Sequence, residues 1–270
     1  MNKFFLSALA LVIVVNVYAQ DTTSRYQPPP PQNKKSAKRD MMNNRLKMEE
    51  EGDLIFNKHT IFGIKLATDG YGLSFEKGKF KTPSRTLLFQ FELNEKKSNK
   101  EHKISTSTDQ FNYSSVVPYK LNNFYEFKAA IGQQYLIGGK GNKNGVAVTA
   151  YYSGGVSLAL LKPYYVNIQN PQTGATAQKT FEQLLTDTSG DQITGASGFT
   201  VGWGHLSVKP GLNAKAAMRF DYGRLNQTIT AIEVGVTEEY YFSKIPQVLL
   251  VPYKNFFFNA YLTILFGSRK

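Results

Sequence analysis

The segment FFFNAYLTILF, residues 256–266, sorts its side chains onto two faces that require different surroundings. Because successive side chains of a strand point to opposite faces, one face is wholly apolar and the other is mixed. The mixed face includes Asn259, Tyr261 and Thr263. A tilted strand needs about 9–11 residues to cross the hydrocarbon core of a bilayer, which is the length of this segment. We interpret it as the closing strand of a membrane-spanning β-barrel. The alternative is a strand of a soluble all-β domain.

The chain before this segment predicts further strands with the same two faces. In residues 206–221 an apolar face with Leu212 and Met218 alternates with a face that carries Lys215 and Arg219. A soluble sandwich shows the same alternation, but its strands are usually about five or six residues long. Several strands here are longer, as tilted barrel strands are. The predicted fold class is all-β, a transmembrane antiparallel β-barrel of about eight strands near residues 59–68, 71–77, 85–93, 123–137, 145–160, 206–221, 226–242 and 255–267.

Two segments precede the predicted barrel, which we place at residues 58–270. Residues 1–19 combine Lys3, an apolar run and small residues before a cleavage site, which predicts a secretory signal peptide. Residues 20–57 contain four consecutive prolines and many basic residues, which predicts a proline-rich basic periplasmic arm, mostly disordered. The chain has no cysteine, which excludes a lipid anchor at the cleavage site, a disulfide and a thiolate metal site. The basic residues expected to mark the arm are Lys34, Lys35, Lys38 and Arg39.

The connections between the predicted strands alternate between short and long. Residues 94–122 and 161–205 form long polar connections, whereas those at the opposite end, 78–84, 138–144 and 222–225, are short. A tight hairpin at Asp69 and Gly70 is the exception at the end with the long connections. Outer-membrane barrels have short periplasmic turns and long external loops, and an even strand count places both termini on one side. The predicted location is therefore the cell outer membrane, in contact with outer-membrane lipid, with the N-terminal arm and the C-terminus periplasmic. Within the second loop, residues 181–185 predict a short helix and Trp203 an interface anchor.

Charged residues of both signs fall on the predicted inner face of the barrel. Eight strands enclose an interior that is just wide enough for side chains to fill. We expect these charges to pair across the lumen, where buried pairs specify register more than they add stability. The prediction is a plugged barrel, with a small-solute or ion pore as the alternative. The expected lumen charge network comprises Lys65, Glu76, Glu92, Glu126, Lys128, Lys209, Lys215, Arg219, Asp221, Glu233 and Glu239.

The composition restricts the classes of partner and of reaction that the protein is expected to have. Lys and Arg number 32 against 20 Asp and Glu, and the formal net charge of +12 favours acidic partners such as lipid head groups or cell-wall polymer. An exported protein rarely meets nucleic acid, so none is expected. The histidines lack metal-ligand spacing, so we expect no metal, no cofactor and no catalytic set. The alternative is a barrel hydrolase of lipid A or peptide that uses His205 and Ser207 with Asp187 or Asp191.

Two motifs resemble a family of small outer-membrane β-barrel proteins from Bacteroidota. They are GGVSLALLKPYY at residues 154–165 and YKLNNFY at residues 119–125. The resemblance covers the chain from about residue 61 to the C-terminus and leaves out the proline-rich arm. It implies a barrel in the outer membrane, but no reaction and no catalytic residue. By analogy of fold alone, such small barrels serve as envelope tethers or as accessory subunits of assembly and secretion machines.

These observations predict a non-enzymatic outer-membrane barrel. We expect it to act as a structural or accessory subunit of a larger envelope assembly or secretion complex, or as an envelope tether. The arm would reach a periplasmic partner or the peptidoglycan. Phe266 is the expected assembly signal, because barrel chains of this type often end on an aromatic residue. The four residues after it, which include Arg269 and Lys270, are expected to form a short basic periplasmic tail.

Overall fold

A computed structural model describes residues 56–82, 84–109, 112–140, 145–223, 228–249 and 251–270. Residues 1–55, which comprise the predicted signal peptide and all but the last two residues of the predicted arm, lie outside the described residues. The long barrel strands are β1 (Lys58–Ala67), β2 (Gly70–Thr82), β3 (Arg85–Lys96), β6 (Asn122–Gly138), β7 (Ala147–Pro163), β11 (Ser207–Asp221), β12 (Thr228–Ile245) and β13 (Lys254–Arg269). The shorter elements are β4 (Ile104–Asp109), β5 (Asn112–Val116), β8 (Tyr165–Gln169), β9 (Thr176–Thr180), α1 (Phe181–Thr186), β10 (Gln192–Ala196) and the 3-10 turn η1 (Trp203–His205).

The eight long strands close into one antiparallel ring in the order β1-β13-β12-β11-β7-β6-β3-β2, which confirms the predicted fold class. Closure occurs between β1 and β13, where Ile64 pairs with Ile264 and Phe62 with Phe266. The first and last long strands pair with each other from His59 and Arg269 to Ala67 and Tyr261, and this pairing closes the sheet. Across the described ranges, no helix is long and apolar enough to span a membrane.

The strand register shows how strongly the barrel is sheared. From Ile64, the pairing through β2, β3, β6 and β7 leads to Pro210 on β11. From the same residue, the pairing through β13 and β12 leads to Phe220. The two end points differ by ten positions on one strand. Shear and strand tilt are linked in a closed sheet, and barrels of this kind have strands tilted by about 35–45°.

The prediction of a basic tail after Phe266 is wrong, because these residues form part of a strand. Gly267, Ser268 and Arg269 continue β13, and the last two pair with Thr60 and His59 of β1. The Lys270 N–H donates to the Lys58 carbonyl at 2.8 Å, which completes the ladder. The start of β1 offers unpaired backbone groups at this height, so the residues after Phe266 satisfy them. The role of Phe266 as an assembly signal stays a prediction.

The outer wall of the ring is apolar. Phe62 on β1 and Phe258 on β13 expose 62% and 58% of their surface. A continuous apolar surface of this kind suits lipid and not water. At the end where β1 begins and β13 ends, here called the terminal end, the outward residues of β2 become basic at Lys77, Lys79 and Lys81. Each barrel strand contributes large exposed apolar side chains, among them Phe62, Leu73, Phe91, Ile131, Val156, Leu212, Val234 and Phe258.

Three connections at the opposite end fold together into what we call the cap, residues 97–121, 164–206 and 246–253. The first forms the hairpin β4-β5, and the second forms a three-stranded sheet in the order β10-β8-β9 together with α1. Helix α1 confirms the helix predicted near residues 181–185. The third connection joins the first, because Leu121 N–H donates to the Gln247 carbonyl and Leu249 N–H to the Tyr119 carbonyl, each at 2.9 Å. The loops predicted as polar connections are therefore structured.

Candidate functional site: the lumen network and the cap

The lumen is spanned by ion pairs, of which the most extensive is centred on Arg219. Its two terminal nitrogens donate to the two carboxylate oxygens of Glu76 at 2.8 and 2.7 Å. Its Nε and Nη2 atoms also donate to Glu233 Oε2, at 3.1 and 2.8 Å. Arg219 lies on β11 and Glu76 on β2, which are four places apart in the ring of eight strands. The planar guanidinium therefore bridges opposite walls of the barrel.

The next level towards the cap is built around Glu92. Lys65 Nζ donates to it at 2.8 Å, and Lys215 also forms an ion pair with it. The ring of Tyr261 lies beneath both ammonium groups, with Lys65 Nζ 4.3 Å and Lys215 Nζ 5.1 Å from the ring centroid. The Tyr261 hydroxyl donates to Glu233 at 2.9 Å. The aromatic face and the carboxylates together compensate the buried ammonium charges.

A third level lies nearest the cap. Lys96 and Lys128 both form ion pairs with Glu239, and Lys128 is 3.2 Å from Glu126. Tyr241 donates its hydroxyl to Glu126. The pair Lys96 and Glu239 joins β3 to β12, which are again four places apart in the ring. This ion pair therefore spans the lumen from wall to wall at a second level, closer to the cap than the Arg219 level.

The terminal end of the lumen has its own group of charges. Asp221 forms an ion pair with Arg269 and lies 3.5 Å from Lys140 Nζ. His59 Nε2 is 2.9 Å from Glu76 Oε1, which connects this group to the Arg219 level. The network is electrically balanced, with seven cations and seven carboxylates among the described residues: Lys65, Lys96, Lys128, Lys140, Lys215, Arg219 and Arg269 against Asp69, Glu76, Glu92, Glu126, Asp221, Glu233 and Glu239.

Two small cavities lie beside this network in the part of the chain that the structure describes. A cavity lined by Lys65, Lys128 and Glu239 measures about 10 Å³, and one lined by His59 and Arg219 about 20 Å³. A cavity needs roughly 10–15 Å³ of such volume to hold one water molecule. Each therefore admits about one water and not a solute.

The structure brings together all the predicted lumen residues except Lys209. Ten of the eleven are buried and linked by ion pairs or hydrogen bonds. Lys209 is on the expected face but is half-buried, and no carboxylate of the described residues lies within 4 Å of its ammonium group. At its height the lumen is filled by an apolar cluster that includes its strand partner Ala159 together with Phe124 and Tyr241.

Sequence reasoning missed four charged members of the network. Lys96 follows the predicted end of β3 by three residues, and its even spacing from Glu92 would have placed it on the inner face of a longer strand. Asp69 lies in the hairpin, 3.1 Å from Lys96, and Arg269 lies in the supposed tail. Lys140 follows β6. These residues lie at strand ends, where sequence-based boundaries are least reliable.

The cap has a separate apolar core. Val116 from the first connection packs with Val166, Ile168 and Phe181 from the second, and all four are buried. The Tyr164 ring stacks on Phe181 at a centroid distance of 6.3 Å and an interplanar angle of 3°. A capping box at Thr180 starts α1. Two loops far apart in sequence therefore form one folded unit above the lumen mouth.

The residues of the alternative hydrolase site do not converge. Asp187 and Asp191 both accept hydrogen bonds from Lys179, the second at 2.9 Å. His205 ends η1 and Ser207 begins β11, and both are exposed. Among the residues that the structure describes, no hydrogen bond connects His205 to Ser207 or to either aspartate. Within the same ranges, no group of three His, Asp or Glu side chains could hold a metal ion.

The ion pair at Lys179 gives the cap a predictable pH response. The hydrogen bond from Lys179, with a second from Ser189, lowers the pKa of Asp187 to about 2 from its ordinary 3.8. A depressed carboxyl pKa contributes stability above the ordinary pKa and loses it as the pH falls towards 2. We expect Lys179→Met to return the pKa of Asp187 towards 3.8, as followed by the carboxyl ¹³C chemical shift. Lys103→Met, at another exposed position, is the control, and an unchanged Asp187 titration in Lys179→Met would contradict the assignment.

Trp203 lies against the outer wall of the barrel and not over the lumen mouth. Its ring stacks on Tyr125 of β6, with centroids 5.6 Å apart, and contacts Phe199 edge-on at 5.4 Å. Lys162 Nζ lies 5.3 Å from the Trp203 ring centroid. This aromatic group borders the apolar wall at its cap end, where amphipathic rings suit the membrane interface.

The lumen and the wall define the chain as a transmembrane eight-stranded barrel with a filled interior. No family model matches the sequence. No curated protein matches it either. The Bacteroidota affiliation expected from the two motifs stays a prediction.

Among solved structures, the chain is similar to outer-membrane β-barrel proteins of Gram-negative bacteria. The attachment invasion locus protein Ail of Yersinia pestis, in complex with a heparin analogue, matches with a TM-score of 0.39 and 9% identity over 80% of this chain and 100% of that one. Neisserial surface protein A matches with a TM-score of 0.36 and 9% identity over 79% and 96%. The N-terminal β-barrel domain of Pseudomonas aeruginosa OprF matches with a TM-score of 0.33 and 14% identity over 78% and 98%.

Proposed function

We propose that the protein is an integral outer-membrane barrel that conducts no solute and acts as a structural or accessory subunit of a larger envelope complex. The observation that carries this proposal is the pair of ionic bridges across the lumen, Arg219 with Glu76 and Lys96 with Glu239. A pore needs a continuous aqueous path, whereas charged side chains from opposite walls meet here at two heights. A filled barrel presents only its wall and its two ends to partners.

The two ends of the barrel differ in a way that supports an orientation. The cap is large and folded, whereas the terminal end has short connections and a basic outward rim at Lys77, Lys79 and Lys81. Long loops face outward and short turns face the periplasm in bacterial barrels. We therefore place the cap outside the cell and the termini in the periplasm, where the N-terminal arm would reach a partner or the peptidoglycan.

The proposal is tested on the wild-type chain extracted in a mild detergent. We expect a second envelope protein to co-purify with it in fixed proportion, and we expect no unitary conductance when the purified barrel is added to a planar bilayer. The comparison is a variant in which Arg219, Glu76, Lys96 and Glu239 are all replaced by alanine, which removes both ionic bridges from the lumen. Steady channel activity of the wild type would exclude the plugged barrel. Purification of only the single chain would exclude the accessory role.

A further inference from the structure

A cavity of about 420 Å³ lies at the cap end of the barrel. It is bounded by the connection after β3, by the connection between β12 and β13, and by the start of β13. Its volume is in the range of sites that bind small molecules, about 300–1,000 Å³. Of the charged network residues only Asp69 is among the described lining residues, and Asn259 and Phe257 connect the cavity to the network.

The cavity is cationic. Lys97, Lys100 and Lys254 line it and come from two different segments of the chain. Asp69, the carboxylate in its lining, is already engaged, because Lys96 Nζ lies 3.1 Å from it and Asn259 Nδ2 donates to it at 2.8 Å. The Lys97 ammonium lies 5.1 Å from the Tyr71 ring centroid and 3.8 Å from Glu95, which are exposed or half-buried residues outside the cavity lining. Three exposed lysines therefore line a cavity in which Asp69, the one carboxylate among the described lining residues, is already paired.

The same cavity has an apolar side that belongs to the lipid-facing wall. Phe256 and Phe258 are part of its lining, face outward from β13 and expose 42% and 58% of their surface. Tyr253 and Pro252 complete the aromatic and apolar boundary towards the cap. The site therefore combines a cationic rim with an apolar floor that continues into the membrane-facing wall. That combination fits an anionic amphiphile, whose head group meets the lysines while its acyl chains follow the wall.

We propose that this cavity binds a phosphorylated acyl glycolipid of the lipid A class. Lysine ammonium groups recognise phosphate through charge-assisted hydrogen bonds, and the aromatic side chains would contact the sugar rings. The assignment to the lipid of the outer leaflet rests on the orientation in the proposed function. If the orientation is reversed, the same cavity would meet glycerophospholipids instead. A soluble acidic saccharide has no acyl chains and leaves the Phe256 and Phe258 surface uncovered.

The test uses the purified full chain in detergent and measures binding of diphosphoryl lipid A by native mass spectrometry. We expect saturable binding of one molecule and at least tenfold weaker binding to the variant with Lys97→Gln, Lys100→Gln and Lys254→Gln. The matched control carries Lys77→Gln, Lys79→Gln and Lys81→Gln, which removes the same charge at the other end of the barrel. We expect it to bind lipid A like the parent. Both variants should keep heat-modifiable gel mobility, which reports a closed barrel.

Three results would overturn the proposal. Equal weakening in both triple variants would indicate general attraction to a basic protein. Phosphatidylglycerol that binds as tightly as diphosphoryl lipid A would indicate a site for any anionic lipid. Lipid A without phosphate that binds as tightly as the phosphorylated form would remove the role of the lysines.

Failure of the binding site and failure of the proposed function are distinguishable. Because the chain has no cysteine, Thr188→Cys in the exposed part of the cap gives a single labelling site. Labelling of intact cells by an impermeant maleimide is expected, and its absence would reject the orientation and with it the lipid A assignment. Conductance and co-purification are measured without added lipid, so they report on the lumen and the partner alone.

Discussion

Replacing Arg219 by methionine is expected to destabilise the folded barrel by about 3–5 kcal/mol, since breaking a buried ion pair leaves uncompensated charge. Arg219 is 3% exposed and is the cation that both Glu76 and Glu233 contact through two or more hydrogen bonds. Methionine preserves much of the side-chain length and removes all of these donors. The two carboxylates would then face each other across the lumen. The midpoint of urea unfolding of the refolded barrel, followed by heat-modifiable gel mobility, measures the change.

Two controls separate the lost charge from lost packing. Adding Glu76→Gln and Glu233→Gln to Arg219→Met removes the stranded charges, so it should recover most of the lost stability. Lys209→Met removes a cation from the same strand and should change the unfolding midpoint little, because Lys209 lies outside the network. If Arg219→Met and Lys209→Met have equal midpoints, Arg219 does not hold the lumen together.

Replacing Gly155 by valine is expected to prevent closure of the barrel, whereas the same change at the adjacent Gly154 is expected to be tolerated. A Cβ atom at Gly155 would lie 2.0 Å from the Ala129 carbonyl oxygen and 2.5 Å from Ala130 Cα of the neighbouring strand β6. These are backbone atoms, so relief requires β6 and β7 to separate. At Gly154, which faces outward, the nearest atom is the Asn213 carbonyl oxygen at 3.6 Å, an ordinary contact.

Gly154 and Gly155 both lie in the middle of β7, so the intrinsic strand preference of valine affects both variants equally. Each variant is therefore the control for the other. The yield of heat-modifiable barrel after refolding is the measurement. We expect a small fraction of the parental yield for Gly155→Val and a yield close to parental for Gly154→Val. Overpacking a dense interior costs about 1–3 kcal/mol or more. Equal yields from the two variants would show that β6 and β7 adjust freely at this height.

The closing strand shows what local pattern can predict. Alternation with a period of two predicts its two faces and its closing role, and it also predicts where the other long strands lie. This alternation is a property of neighbouring residues. The same alternation placed ten of the eleven predicted charges inside the barrel. It fails at strand ends, where Lys96 and Arg269 belong to strands that the sequence ended too early.

The sequence by itself determined the eight-stranded class, the apolar wall and the charged inner face, because strand length and alternation are local. Only the tertiary structure decided which charges meet. Arg219 and Glu76 are 143 residues apart, and they face each other because closure and a stagger of ten positions set their strands on opposite walls. The tertiary structure also decided that the long loops form a cap and a cationic cavity. Their core joins Val116 to Phe181, and no local pattern specifies a contact between two separate loops.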